Sequence, residues 1–399
     1  MELPVQNSSQ EHENIRWPSF IAATASVTAV GVAIGLGLPL LSMILEKRGV
    51  PSTLIGLNSA MAGIAAMAAA PITTKLAHRF SVPATMIGAA LLAALSAPGF
   101  YFATNFWLWF PLRLVFHGAT TTLFILSEFW INASAPPKKR GLALGVYATV
   151  LSVGFALGPL IFARIGSDGL LPFLLGAVVL LIAGIPVFIA RGECPVIDEK
   201  PQLHFMRYIL LVPTATAAVF VFGAVEAGGL SLFPIYATRS GFTEAQAALL
   251  LTLMGLGNML FQIPLGLISD RMNDRRILLF IMAFCGLVGA FTLPFLSDSW
   301  ELLAVVLLFW GGSVAGLYTV GLSHLGSRLT GADLVAANAA FIFCYAVGTV
   351  AGPQVIGASM DASAKYGFGQ QGFAWAIAFF FGLYFVLSAL RMIFRPKKA

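Results

Sequence analysis

Charge is scarce in this 399-residue chain: Asp, Glu, Lys and Arg together make up 10% of it, against about a quarter of an ordinary soluble domain. Hydrophobic residues reach 58%. No soluble core could hide that much apolar surface, so the bulk of the chain belongs in a lipid bilayer. Cysteine is nearly absent too. Cys194, Cys285 and Cys344 follow no spacing pattern, which argues against a disulfide framework and a metal site. There is no Gly-Lys-Ser/Thr phosphate loop, so this chain alone cannot drive transport with ATP. There is no His-Glu-x-x-His or comparable acid pair, so an intramembrane enzyme is not expected. No cofactor, metal or nucleic acid is expected either.

What the chain has in abundance is apolar length. Twelve runs are each long enough to cross a hydrocarbon layer of about 30 Å as a helix. They lie at 20–45, 54–77, 83–102, 106–131, 142–163, 171–190, 208–236, 245–268, 277–296, 302–325, 334–358 and 372–394. None alternates apolar and polar residues as a β-barrel strand does. Backbone groups in lipid must bond within their own segment, so the runs are helices and the fold class is an all-α membrane protein. The first run is too long for a signal-peptide core and follows a polar, mixed-charge tail, so no cleavable leader is expected.

The basic residues assign sides. With the N-terminus in the cytoplasm, 17 of the 23 Lys and Arg fall inside, including Lys75, Arg79, Lys138, Lys139, Arg140, Arg271, Arg275 and Arg276. Lys47, Arg48, Arg164, Arg239 and Lys365 fall outside, and Arg113 lies within a span. Lys47 and Arg48 locally oppose the rule at the first span, but the summed bias puts both termini in the cytoplasm. Six tryptophans (Trp17, Trp107, Trp109, Trp130, Trp300 and Trp375) fall at expected interfaces, as in an aromatic belt.

The chain also repeats itself. Gly49 and Gly241, Gly63 and Gly255, and Arg79 and Arg271 are each 192 positions apart, and "VGFALGP" (153–159) matches "VGTVAGP" (347–353). The expected divisions are a cytoplasmic tail (1–19), a six-helix bundle (20–190), a cytoplasmic linker (191–207), a second six-helix bundle (208–394) and a short tail (395–399). Two related halves suit alternating access, with a solute held between them near mid-membrane.

The segment "PLGLISDRMNDRR" (264–276) sets a knot of charge between two apolar runs. It resembles the loop between the second and third helices of each half in the major facilitator superfamily. Gly266, Asp270, Arg271 and Arg275 match, while the first-half copy "KLAHRFSVP" keeps Arg79 and has His78 in place of the acid. "RLVFHGATTTLFILSEFWINA" and "LYTVGLSHLGSRLTGADLVAANAAFIFCYAVGTVAGP" are similar to its bacterial metabolite- and drug-transporter branch. The resemblance covers 20–394. It implies two six-helix bundles related by a pseudo-two-fold axis, with helices one, four, seven and ten lining the cavity. It also implies that Asp270 gates the inner face by meeting the N-terminal end of span eleven near 332–334. An anion there gains about 0.3–1 kcal/mol from the helix dipole, up to ~2 when partly buried. Gly145, Gly154, Gly158 and Pro159 match a motif linked to antiporters of the family. Gly348, Gly352 and Pro353 repeat part of it in the second half, which points to helix packing.

Interior ionisable side chains fall in spans four (Arg113, His117, Glu128), seven (Glu226) and ten (His324). Such groups normally face a cavity. Glu226 lies near mid-membrane, where a carboxyl can bind and release the coupling proton or hold a cationic solute; a neutral structural Glu is the alternative. Arg113 and His117 are the other proton-coupling candidates, although His117 stands where the family's helix-four motif usually has Gly. Glu128, near the cytoplasmic end, either ties the inner gate to the basic loops or touches the solute. Trp310 and His324 share a face of span ten, while Asn258 and Gln262 share one on span eight. These four are the substrate-cavity candidates, suited to a flat or amphipathic organic solute.

The reading is a proton-coupled secondary transporter in a bacterial-type inner membrane. It is taken as a monomer, surrounded by lipid, moving a small organic molecule outward. Uptake of a vitamin-like aromatic compound such as riboflavin, a solute linked to some members of this branch, is the alternative. A non-transporting receptor or scaffold is the alternative of another class.

Overall fold

A computed structural model describes residues 16–135, 140–194, 206–296, 298–329 and 331–393. Lys138, Lys139, most of the expected linker and most of both tails lie outside these residues. Thirteen α-helices follow one another: α1 (Trp17–Lys47), α2 (Ser52–Phe80), α3 (Val82–Phe102), α4 (Trp109–Ser134), α5 (Arg140–Ile165), α6 (Leu171–Ile189), α7 (Met206–Leu211), α8 (Pro213–Arg239), α9 (Glu244–Arg271), α10 (Arg275–Thr292), α11 (Trp300–Gly326), α12 (Gly331–Lys365) and α13 (Gln371–Ile393). All but α7 belong to the 12 segments long and apolar enough to cross a membrane. The chain is a multi-pass membrane protein.

The seventh span differs from its sequence expectation. The run from 208 is not one helix: α7 stops at Leu211 and α8 starts at Pro213. Proline has no N–H to offer, and its ring pushes the preceding residue out of the helical region. Val212 accordingly sits at φ −124°, ψ 54°. Span eleven, in contrast, outruns its expected end at 358. Helix α12 continues to Lys365 and carries Asp361 in its last turns.

Pairing of the helices repeats between halves. In the first, α1 packs on α4, α5 and α6, α2 on α4, and α3 on α6; in the second, α8 packs on α11, α12 and α13, α9 on α11, and α10 on α13. The match of α1–α5 with α8–α12, α2–α4 with α9–α11 and α3–α6 with α10–α13 is the pseudo-two-fold relation. Small residues set these contacts, because lipid tails are as apolar as Leu and give no hydrophobic drive for helices to associate. A Cβ on Gly158 would lie 2.3 Å from the Leu36 nitrogen of α1, and one on Gly352 would lie 2.0 Å from the Ala224 oxygen of α8. Gly154 and Gly348 make the equivalent approaches to Thr28 and Phe220. Helices α1 and α8 are the most enclosed spans. The halves meet along α2–α12, α5–α9 and α1–α8.

The aromatic belt is also thinner than expected. Trp17, Trp107 and Trp375 are exposed, but Trp109 and Trp130 are fully buried. Trp109 donates its indole N–H to the Ala103 carbonyl at 3.0 Å and lies under the Arg48 guanidinium, 4.9 Å from ring to charge. A satisfied N–H lets the whole ring leave the interface.

Candidate functional site

Helix polarity gives each half two ends. Trp17 starts α1 and Ile393 ends α13 on one side, called the terminal face; α1 ends and α2 starts on the opposite side, the far face.

Near the middle of the helices, α5 of the first half meets α8, α9 and α11 of the second around a cavity of ≈ 50 Å³. That is room for a few waters. Its wall includes Ser152 and Phe155 of α5, Phe222 and Glu226 of α8, Asn258 of α9 and Trp310 of α11. Spans seven and ten therefore line it as the resemblance implied. Spans one and four do not, and spans five and eight contribute in their place.

Glu226 is halfway along α8, and its Oε2 accepts a hydrogen bond from the Tyr345 hydroxyl of α12 at 2.7 Å. The Phe222 ring stacks on Tyr345 with centroids 5.8 Å apart, and Tyr318 of α11 tilts against Phe222 at 5.3 Å. Sequence reasoning missed both tyrosines. Tyr345 is 119 residues from Glu226, and no spacing rule links them; a close approach of α8 and α12, set by Gly223 against the Tyr345 backbone, brings them together.

The other cavity candidates divide. Trp310 reaches the cavity, but its Nε1 donates to the Gly286 carbonyl of α10 at 3.0 Å and its ring packs on Phe381. Asn258 lines the cavity and accepts from Gln262 Nε2 at 2.8 Å within α9. His324 is not on the cavity wall. It is buried in the last turn of α11, near Arg276 and Arg328 at the terminal face.

Arg113 and His117 are buried inside the first bundle. The Arg113 Nε donates to Asn58 Oδ1 of α2 at 2.9 Å and Nη2 reaches Ser59 Oγ at 3.5 Å. Its Nη1 has no partner, nor do Asn58 Nδ2 and His117 Nε2. Among the described residues this guanidinium faces no carboxylate within ion-pair distance. Glu128, on the same helix, is exposed instead, and it interacts electrostatically with Tyr318 of the other half.

Polar contacts between the halves are found at the far face. Arg239, ending α8, grips Glu46 near the end of α1 through Nε and Nη2 at 2.7 and 2.8 Å. Lys47 bridges Glu244 at 2.6 Å and Asp168 at 2.9 Å, and Ser167 donates to Glu244 at 2.7 Å. Asp361 caps the first turn of α2, accepting from the Ser52 and Thr53 N–H groups at 3.0 and 2.8 Å and from the Thr53 hydroxyl at 2.7 Å. Close packing follows the α2–α12 seam inward, at Gly56 against Pro353 and Gly63 against Thr349. Near the terminal face, Gly145 of α5 and Gly266 of α9 meet nothing within 4 Å of an added Cβ. The sequence had marked this cluster only as basic residues on the wrong side. Lys47 and Arg239, 192 positions apart, were the available signal.

The charge knot is mostly helix. Asp270 and Arg271 close α9, and Asp274 caps α10 by accepting from the Arg276 N–H at 3.1 Å. Arg275 braces the turn, with Nε on Ser269 Oγ at 3.2 Å and Nη2 on Asp270 at 3.3 Å. The Asp270 carboxylate is 70% exposed. Arg79, the first-half counterpart of Arg271, lies over the Phe80 ring at 5.2 Å. Nearby, the Tyr208 hydroxyl of α7 donates to Asp333 at the start of α12. That bond to a carboxylate holds the phenol proton on and raises its pKa from the ordinary value.

A family model described as Major Facilitator Superfamily matches residues 20–353 and, in a second overlapping match, 215–399. An uncharacterized MFS-type transporter of Bacillus subtilis (strain 168), YfkF, is 26% identical over 344 residues, spanning 84% of this chain and 86% of its own length. Among solved structures, a D-xylose-proton symporter superposes with a TM-score of 0.76 at 16% identity, covering 95% of this chain and 97% of that one. A bacterial homolog of the human lysosomal transporter Spinster, inward-facing and unoccupied, gives 0.74 at 15% identity, covering 97% and 100%.

Proposed function

The chain belongs to the major facilitator superfamily and is a membrane transporter of a small solute, and on that premise we propose that it exports an organic molecule by alternating access, driven by protons that bind at Glu226. The observation that carries this reading is the position of Glu226: a carboxylate halfway along α8, on the wall of a cavity that both halves share. Intramembrane carboxylates placed in this way mark ion and substrate pathways. A gradient of one pH unit supplies about 1.4 kcal/mol per proton, enough for roughly a tenfold solute gradient.

The terminal face is the cytoplasmic one of a bacterial inner membrane, a reading supported by the excess of Lys and Arg at that end. The far-face ion pairs between the halves support a state closed outward. Loading from the cytoplasm favours export. In the opposite state Asp270 leaves Arg275 for the N-terminal end of α12, where the helix dipole welcomes an anion. Arg113 and His117 act on the same cycle from inside the first bundle. A buried guanidinium without a carboxylate is costly, so any state that offers it an anion is favoured. The carrier works as a monomer in lipid.

Purified protein in proteoliposomes, supplied with riboflavin and with aromatic amines under an imposed pH gradient, tests the reading. Accumulation that follows the gradient is expected. Equal movement with and without the gradient removes proton coupling, and net uptake of riboflavin in the import direction reverses the assignment of direction. A protein that moves nothing yet binds a partner protein tightly is a receptor.

A further inference from the structure

The chemistry of the cavity wall narrows the solute class. Its charge is of one sign: among the described residues Glu226 is the ionisable group on the wall, and no Lys, Arg or His lines it. Arg113, the cation that an anionic solute would need, is fully buried in the first bundle and engaged by Asn58. The rest of the wall is largely apolar and aromatic, with Phe155, Phe222 and Trp310 around the carboxylate. Tyr345 takes one carboxylate oxygen. A second acid, Glu128, is exposed on α4 towards the terminal face and shares with Glu226 an electrostatic interaction with Tyr318.

Resting on the carrier reading above, we propose that the solute is a flat organic monocation, whose positive end takes the place of the proton on Glu226 while its ring lies among Phe155, Phe222 and Trp310 once the two halves part and widen the ≈ 50 Å³ cavity. A dehydrated Mg²⁺ or Ca²⁺ ion fits poorly, because it takes six or more oxygen ligands and this wall offers three polar side chains, Ser152, Glu226 and Asn258. An anion would place like charges together away from water. A neutral ring fills the aromatic wall but leaves the carboxylate unused. An organic cation satisfies both parts: it pairs with the carboxylate and is attracted to aromatic faces, an effect that grows where water is excluded. The exchange balances, since the cation enters as the proton leaves the same oxygen pair. Titratable groups facing Glu226 are Tyr345 of α12, Tyr318 of α11 and, beyond it, Glu128 of α4. Helices α5 and α9 give Ser152 and Asn258 to the wall, neither of which titrates.

A charge series on one ring tests this. Binding of 1-methylquinolinium, neutral quinoline and quinoline-2-carboxylate to full-length protein in nanodiscs is measured across a pH range, with a sodium chloride arm. The cation is expected to bind at least tenfold more tightly than the neutral ring, to weaken as pH falls, and to release protons into weak buffer. Glu226→Gln should abolish the preference and Glu226→Asp should keep it. Should Glu226→Gln fail to fold, the series on the unaltered chain still decides. Absence of cation binding at millimolar concentration overturns the proposal, as does equal binding of quinoline or displacement of the cation by sodium. Proton-driven transport of riboflavin with no response to the cation would sink the solute class and leave the carrier reading standing. No transport of any probe would sink the carrier reading itself.

Discussion

Replacing Asp361 with Ala should open the far face. The carboxylate takes two backbone N–H groups and one hydroxyl from the first turn of α2, so one side chain ties the last turns of α12 to the opposite half. Losing an N-cap carboxylate costs about 0.5–2 kcal/mol. Here that cost falls only on the outward-closed state, because opening separates α2 from α12. A loss of about 1–2 kcal/mol shifts a two-state population by a factor of about 5–30. Spin labels on Trp107 of the first half and Tyr366 of the second, both exposed, report the width of that face by electron–electron resonance. Asp361→Ala should add a longer-distance population, whereas Asp168→Ala, which removes an exposed ion pair, should change it little. An unchanged distance distribution in Asp361→Ala would refute the capping argument.

Three further outcomes follow from the packing and the buried charges. Gly352→Ala would press a methyl group into the Ala224 backbone, so the melting temperature should fall by an amount matching about 1–3 kcal/mol; scanning fluorimetry checks it. Arg113→Met removes an unpaired buried charge, so thermal stability should hold or rise while transport drops; a large loss of stability would make Arg113 a structural residue. Trp310→Phe removes the indole hydrogen bond to the Gly286 carbonyl, about 1 kcal/mol, and should weaken solute binding more than it lowers the melting temperature.

The spans were legible because apolar length is a property of each segment alone. Where the sequence expectation failed, a single residue or a distant partner decided. Pro213 split one run through a local backbone rule, readable in principle from the residue itself. Trp109 looked like an interface anchor because burial depends on what the ring can reach, and Ala103 and Arg48 are reachable only once α1 and α3 have packed; Trp130 is buried with no partner for its indole N–H, and no polar contact explains its place. Glu226 stood out as a lone carboxylate in apolar surroundings, but its partner Tyr345 is set by helix docking. Asp361 lies three residues past 358, where the apolar run of span eleven stops. The structure instead gives it a helix terminus in the other half.

Proton-driven accumulation of an exported solute, compared between the unaltered chain and Glu226→Gln in proteoliposomes of equal protein content, bears most directly on the coupling role. Accumulation should rise with the imposed pH gradient in the first and stay at the equilibrium level in the second at every pH. Gradient-driven accumulation by Glu226→Gln with an unchanged pH profile would contradict it.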